Sequence, residues 1–160
     1  MKNTLRALLL ILVCQISVSA WSQTIFIVRH GEKVDESRDP TLSLKGKQRA
    51  ANLAMILRDA EIKKVYVTEF QRTQMTATPL AETRQIALTP YAAKESLNFG
   101  KSLLTAEVNT LVVGHSNTLL DILKGLGIND VKPVADDEYD RLFVVTLNKN
   151  ASASYTLLRY

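Results

Sequence analysis

The chain has 160 residues, 46% of them hydrophobic and 22% charged, with a formal net charge of +4. These are ordinary values for a globular domain and leave room for one hydrophobic core. They exclude a disordered or low-complexity chain, and no Lys/Arg tract argues for nucleic acid as a partner.

Residues 1–20 stand apart. Lys2 and Arg6 are their only charges, Leu8–Val13 is continuously apolar, and the small residues Ser17, Ser19 and Ala20 follow. A positive start, a short apolar stretch and a Val18-x-Ala20 pattern read as a secretory signal peptide cut near Ala20. The apolar stretch is short for a transmembrane anchor, which needs about 20 residues, so no stable membrane insertion is expected after cleavage. Cys14 sits inside that stretch, without the small neighbours a lipoprotein site wants. Beyond residue 20 the chain carries 18 of the 20 basic side chains against all 16 acidic ones, close to balance. It holds no cysteine there, which removes disulfide and thiolate chemistry. We expect residues 21–160 to form a single exported domain, periplasmic in a Gram-negative cell.

Ile25–Val28 is a short apolar, β-branched-rich run and reads as a strand buried on both faces. It ends in Arg29-His30-Gly31, where Gly31 allows a sharp turn or a close approach to a ligand. Glu32–Thr41 is a polar loop with Pro40 near its end. A helix is expected over Ser43–Asp59, with Ala50, Leu53, Ala54 and Leu57 on one stripe, Thr41 or Ser43 as cap, and Gly46 marking close packing. Val65–Val67 reads as a second strand and Gln71–Glu82 as a second helix, kinked or restarted at Pro79. Ile86–Leu88 is a weak third strand that Pro90 should end. Residues 91–105 read as a loop and a short helix. Thr110–Val113 is another buried strand, followed by a helix over Asn117–Leu126 that stops at Gly125 and Gly127. Asp130–Asp140 is a loop with an acidic run. Leu142–Leu147 and Ser154–Leu158 then form a terminal hairpin turning at Asn148–Ala151. There is no internal repeat. The order of elements implies an α/β fold, a three-layer α/β/α sandwich with a mainly parallel central sheet.

The sequence has two histidines, His30 and His115, and each follows a buried strand. In a parallel sheet both strand ends open on one edge, where open α/β sheets bind ligands. Arg29 precedes His30, and Arg72 begins the helix after the second strand, on the same edge. Two guanidiniums and two imidazoles converging there suit a phosphoryl group, because arginine offers a planar donor fork to phosphate oxygens. Helix N-termini near Arg72 and after His115 add backbone donors. Nearby cations depress an imidazole pKa, so His30 can stay neutral and nucleophilic near neutral pH.

The motifs resemble those of the histidine phosphatase superfamily, in its short, phosphoglycerate-mutase-like branch. They are Arg29-His30-Gly31, the helix start Leu42-Ser43 with Gly46 and Gln48, Thr68–Thr73 leading to Thr76-Ala77, and Gly114-His115-Ser116-Asn117. Gln48 follows Gly46 by two residues where the family has three. The resemblance runs from Thr24 to about Leu126. It implies that His30 is the nucleophile of a covalent two-step route through phosphohistidine. It implies that Arg29, Arg72 and His115 bind the phosphoryl oxygens. It implies no metal and no cofactor, and a small-molecule phosphate ester as substrate.

The general acid that must protonate the leaving oxygen is less defined. Family relatives carry a Glu after the third strand, and Glu95 matches that placement loosely. Glu32 is the alternative, with Asp35 and Glu36 in the same loop. Ser43 and Asn117 are either pocket contacts or structural, as a cap and a loop amide. The run Asp136–Asp140 lacks a calcium-loop pattern and reads as a solvated loop or a lid. Tyr66, Tyr91, Phe99 and Tyr139 are expected to pack. Gly114-His115-Ser116-Asn117-Thr118 also approaches a serine-hydrolase elbow, but no histidine follows His115 to complete that triad. A phosphomutase would need covering segments, and residues 91–107 are short for that. A non-catalytic phosphate-binding module stays open as a second reading. Export implies sugar phosphates, nucleotides or phosphorylated lipopolysaccharide sugars as substrates.

Overall fold

The computed structural model describes residues 23–147 and 153–160. The signal-peptide reading and the turn expected at 148–151 lie outside them. The strands are β1 (Gln23–Arg29), β2 (Lys64–Thr68), β3 (Leu88–Tyr91), β4 (Thr110–Gly114), β5 (Arg141–Leu147) and β6 (Ser154–Arg159). The helices are α1 (Leu44–Ile56), α2 (Gln71–Arg84), α3 (Ser96–Ser102) and α4 (Ser116–Gly125). Short 3-10 turns, Ala93–Glu95 and Leu103–Thr105, flank α3.

The six strands form one sheet in the order β3-β2-β4-β1-β5-β6. The first four are parallel, and β5 and β6 run antiparallel to them. The two-residue period of the central strands divides the core into two layers. Ile25, Ile27 and Val112 point to one face, where they meet Leu119, Ile122 and Leu123 of α4. Val28, Leu111 and Val113 point to the other, against Leu53 of α1 and Leu80 of α2. Helices therefore cover both faces, as the three-layer expectation requires. Among the described residues no helix is long and apolar enough to cross a membrane.

One expectation about proline is narrowed and one is corrected. Pro79 does not restart α2, which is continuous from Gln71 to Arg84. Proline inside a helix costs about 3 kcal/mol or more, and the burial of Ala77, Leu80 and Ala81 around it offsets that loss. Pro90 does not end the third strand at Leu88. It lies inside β3, paired in register with Val67. β3 is an edge strand with only β2 beside it, so its open side tolerates the missing N–H.

Gly31 and Gly46 serve close approach and not a turn, because among the described glycines only Gly127 has a positive φ. A Cβ on Gly46 would lie 2.3 Å from the Glu32 carbonyl oxygen, and one on Gly31 would lie 2.8 Å from the Gly46 carbonyl oxygen. The segment after β1 is thereby pressed onto the first turn of α1. Gly46→Ala should lower stability by about 1–3 kcal/mol, the usual cost of overpacking. Thermal unfolding checks it: the melting temperature drops if the approach is as tight as described.

Candidate active site

The connection after β1 leads to α1 on one face, and the connection after β4 leads to α4 on the other. β1 and β4 are neighbours, so the chain diverges between them and leaves a crevice at their carboxyl ends. His30 and His115 stand at that crevice. Arg29 pairs with Gly114 in register, and the His30 N–H donates to the Gly114 carbonyl at 3.0 Å. The two imidazole centroids are 5.2 Å apart. The crevice opens into a pocket of about 430 Å³ lined by Arg29, His30, Arg72, His115 and Asn117, together with Lys33, Glu36, Ser116, Asp136 and Tyr139.

His30 Nδ1 lies 2.7 Å from the Gly31 carbonyl oxygen. A carbonyl only accepts, so Nδ1 carries the proton and Nε2 keeps the lone pair. Burial lowers the His30 pKa to about 3, helped by His115, Arg29 and Arg72 and opposed by the Gly31 bond. Burial, then Arg72 and Arg29, lowers His115 to about 4. Both rings are neutral at pH 7.

Arg29 is 5% exposed, yet it has no carboxylate partner among the described residues. Its Nη1 donates to the carbonyls of Ala135, Asp136 and Glu138, at 2.9, 2.8 and 3.1 Å. Its guanidinium lies 4.0 Å from the centre of the Tyr139 ring. One end of Arg29 thus holds the loop, and its buried Nε has no partner. Arg72 lies in the first turn of α2, stacks 4.3 Å over Phe70 and lies 3.7 Å from Asp39. Its Nε and Nη1 are also buried without partners, as is His115 Nδ1. The first turn of α4 adds its positive end to the pocket through Ser116 and Asn117.

The other anticipated residues fall elsewhere. Glu95 is exposed, accepts a bond from Asn98 at 3.2 Å and does not line the pocket. Its short 3-10 turn is carried away by α3, which packs against α4. Glu32 is turned from the pocket by Arg49, whose Nε and Nη2 grip its carboxylate at 3.0 and 2.8 Å. Burial would raise its pKa, but Arg49 and Lys45 hold it below the usual range. Ser43 is the cap of α1, accepting the Gly46 N–H at 3.1 Å, and does not line the pocket. Asn117 does line it. Tyr66, Tyr91 and Phe99 pack together as expected, whereas Tyr139 lies beneath Arg29 at the pocket.

The sequence reading gave no pocket role to Lys33, and it read the run Asp136–Asp140 as a solvated loop or a lid without singling out Asp136 or Tyr139. Lys33 is two residues past Arg29-His30-Gly31 and was within reach of that motif. Asp136 and Tyr139 arrive on a loop whose approach depends on Arg29 binding its carbonyls, which no spacing records. The loop is fixed again by Glu138, which accepts from the Ala135 N–H at 3.0 Å and pairs with Arg141 and Arg159. Ser116 has Asp136, at 3.5 Å, as its side-chain partner and not an imidazole, so the triad of a serine-hydrolase elbow is not assembled. Among the described residues no group of three or more His, Cys, Asp or Glu could hold a metal ion.

A model of the histidine phosphatase superfamily (branch 1) matches residues 25–106. The chain belongs to that superfamily. The matched span contains Arg29, His30 and Arg72, and it ends before β4, which brings His115 to the pocket. A search of the curated protein sequences finds no match. Several solved structures share the fold. A protein provisionally assigned as an alpha-ribazole-5'-P phosphatase from Escherichia coli K-12 is 17% identical, with a TM-score of 0.71 over 86% of this chain and 96% of its own. The protein histidine phosphatase SixA, solved with tungstate, is 18% identical, with a TM-score of 0.67 over 86% and 97%. A phosphoserine phosphatase from Entamoeba histolytica, solved with 3-phosphoglyceric acid, is 12% identical, with a TM-score of 0.64 over 86% and 97%.

The depressed imidazoles predict how stability responds to acid. A free imidazole titrates near about 6.5. Between about pH 6.5 and pH 4 the unfolded chain therefore binds more protons than the folded one, and stability falls as the pH drops through that window. The slope should reach about 1.4 kcal/mol per pH unit for each ring. Urea unfolding in phosphate-free buffer checks it, and His115→Ala should flatten the slope.

Proposed function

We propose that the chain is a metal-independent phosphomonoesterase that works through a phosphohistidine at His30. The observation that carries this reading is the set of buried polar atoms without partners, Arg29 Nε, Arg72 Nε and Nη1, and His115 Nδ1, around a neutral His30. Leaving buried polar groups unpaired is costly, by about 1–3 kcal/mol each. A phosphoryl group supplies oxygens to meet them and phosphorus for the His30 Nε2 lone pair to attack. The guanidiniums stay protonated and stabilise the charge that grows on the oxygens. Family membership supports the reaction class. The tungstate in the SixA structure, a tetrahedral oxyanion, supports the ligand class.

In this mechanism His30 Nε2 forms a bond to phosphorus while the ester P–O bond breaks. Two carboxylates line the pocket, and Glu36 is ion-paired with Lys33. Asp136, held beside Arg29 through its own carbonyl, is the carboxyl group placed to pass a proton to the leaving oxygen. Water then attacks phosphorus, its proton passes to the Asp136 carboxylate, the N–P bond breaks, and inorganic phosphate leaves. Residues 91–105 support a phosphatase over a mutase. They form a helix packed so closely on α4 that a Cβ on Gly100 would lie 2.3 Å from the Ile122 carbonyl oxygen. They are therefore spent on the layer and not on a cover for the pocket.

The substrate in this reading is an exported phosphate ester, such as a sugar phosphate, a nucleotide or a phosphorylated lipopolysaccharide sugar. The pattern of residues 1–20 supports export, to the periplasm in a Gram-negative cell. Hydrolysis of p-nitrophenyl phosphate with chelator present tests the reaction. His30→Ala should abolish it with the circular dichroism spectrum unchanged. Orthophosphate binding without turnover in the unaltered protein would instead leave a binding module. The acid is tested by leaving group. Asp136→Asn should lower kcat/KM on alkyl phosphates by about 10²–10⁴-fold and change p-nitrophenyl phosphate hydrolysis far less, since that leaving group needs no proton. Equal losses on both would remove Asp136 from the role.

A further inference from the structure

His30 keeps its proton on Nδ1 through one group, the Gly31 carbonyl at 2.7 Å. The tautomer of a neutral imidazole is set by the bond its second nitrogen makes. The Nε2 lone pair therefore depends on where this carbonyl points. It belongs to the Gly31–Glu32 peptide. The groups on either side are fixed: the Gly31 N–H donates to Thr76 Oγ1 at 2.9 Å, and the Glu32 carbonyl accepts the Ser43 N–H at 2.8 Å. Neither bond touches the peptide between them. A planar peptide can turn about the two Cα atoms at its ends while its neighbours stay in place. A glycine at one end removes the side chain that would resist the turn.

The other end of this peptide is its N–H, which in a trans peptide points away from the carbonyl. The Glu32 carboxylate takes up that N–H. The carboxylate is itself held. Arg49 Nε donates to Glu32 Oε2 at 3.0 Å, Arg49 Nη2 donates to Oε1 at 2.8 Å, and Lys45 Nζ lies 3.3 Å from Oε1. A two-pronged bond of this kind fixes direction as well as distance. Arg49 is fixed from its far side too, because its Nη1 donates to the Tyr160 carbonyl at 2.8 Å. The backbone of α1 closes the remaining room: a Cβ on Gly46 would lie 2.8 Å from the Glu32 nitrogen. Glu32 thus lies outside the pocket and still reaches His30, through one peptide.

We infer that the Arg49–Glu32 pair positions the nucleophile: it clamps the Gly31–Glu32 peptide so that the Gly31 carbonyl keeps the His30 proton on Nδ1 and leaves the Nε2 lone pair free for phosphorus. This rests on His30 being the nucleophile. Arg49 and Glu32 are positioning residues and touch no substrate. A carboxylate bonded directly to a catalytic imidazole does the same work in a serine-hydrolase triad; here one peptide stands between them. The negative charge against the N–H polarises the peptide and makes its carbonyl a better acceptor. When Nε2 bonds to phosphorus the ring gains positive charge, and its Nδ1–H bond to that carbonyl strengthens. No proton travels along the clamp. The peptide hydrogen stays on the Glu32 nitrogen, and the imidazole hydrogen stays on Nδ1.

The sequence has two histidines, so the test is direct. Long-range proton–nitrogen correlation NMR on the ¹⁵N-histidine-labelled chain reads which nitrogen of each ring is protonated. His30 should carry its proton on Nδ1 in the unaltered protein. Glu32→Gln, and Arg49→Lys, which keeps the charge and loses the fork, should each move part of that proton to Nε2. Each should lower kcat on p-nitrophenyl phosphate by about 10–100-fold with KM little changed. His115, bonded to Thr68 at 3.0 Å, is the control and should keep its pattern. Should a single variant fail to fold, Glu32→Gln with Arg49→Gln, which buries no unpaired charge, replaces it under the same expectations. A His30 protonated on Nε2 in the unaltered protein overturns the proposal alone. So does a folded variant that keeps His30 on Nδ1, whatever its kcat, or one that shifts both rings alike. An unaltered protein that hydrolyses no phosphate ester overturns the underlying reading of the site, and the proposal with it.

Discussion

Like charges repel most where water is excluded, and this pocket places two guanidiniums and two imidazoles within one crevice. The fold meets that constraint without placing a carboxylate directly on Arg29. Three backbone carbonyls and the face of Tyr139 take up one end of its guanidinium. Asp39 stands 3.7 Å from Arg72, beyond hydrogen-bond distance. The imidazoles respond by staying neutral. What remains is a set of buried nitrogens on Arg29, Arg72 and His115 without hydrogen-bond partners, an arrangement that costs stability.

Much of the molecule follows from keeping that set in place. Parallel pairing of β1 with β4 brings the two histidines side by side. The opposed glycines, Gly31 and Gly46, press the segment after His30 onto α1. Thr76 accepts the Gly31 N–H at 2.9 Å and so ties the same segment to α2, which carries Arg72. Glu138, bridged to Arg141 and Arg159, fixes the loop that Arg29 holds from the other side. Sheet, helices and loop each contribute a part of the pocket wall, and each part is anchored by a bond outside the pocket.

The sequence was most legible where one strand carries one motif. β1 and β4 are continuous apolar runs that end in histidine, and their placement at a shared edge needs only the rule for parallel sheets. Arg29 and Arg72 followed from the same rule. The Pro90 reading went astray because the free edge of β3 tolerates a proline, and α2 continues through Pro79 because burial offsets its cost. Glu95 and Ser43 were placed by analogy of position. Whether Glu95 faces the pocket depends on the direction α3 takes, and α3 is set by its close packing on α4 through Gly100 and Gly125. Asp136 and Tyr139 lie more than twenty residues after His115, on a loop oriented by carbonyl groups. Backbone carbonyls leave no mark in a sequence, so the reading of this run as a solvated loop or a lid could not single out Asp136 or Tyr139.

The central claim is that His30 Nε2 takes the phosphoryl group. It is tested most directly by quenching the protein during turnover of a phosphate ester and mapping the phosphoryl group by mass spectrometry under alkaline conditions, where a phosphoramidate survives. The account predicts an acid-labile phosphoryl group on the peptide that contains His30, and none on the peptide that contains His115. A phosphoryl group on His115, or steady turnover with neither histidine ever labelled, would contradict it.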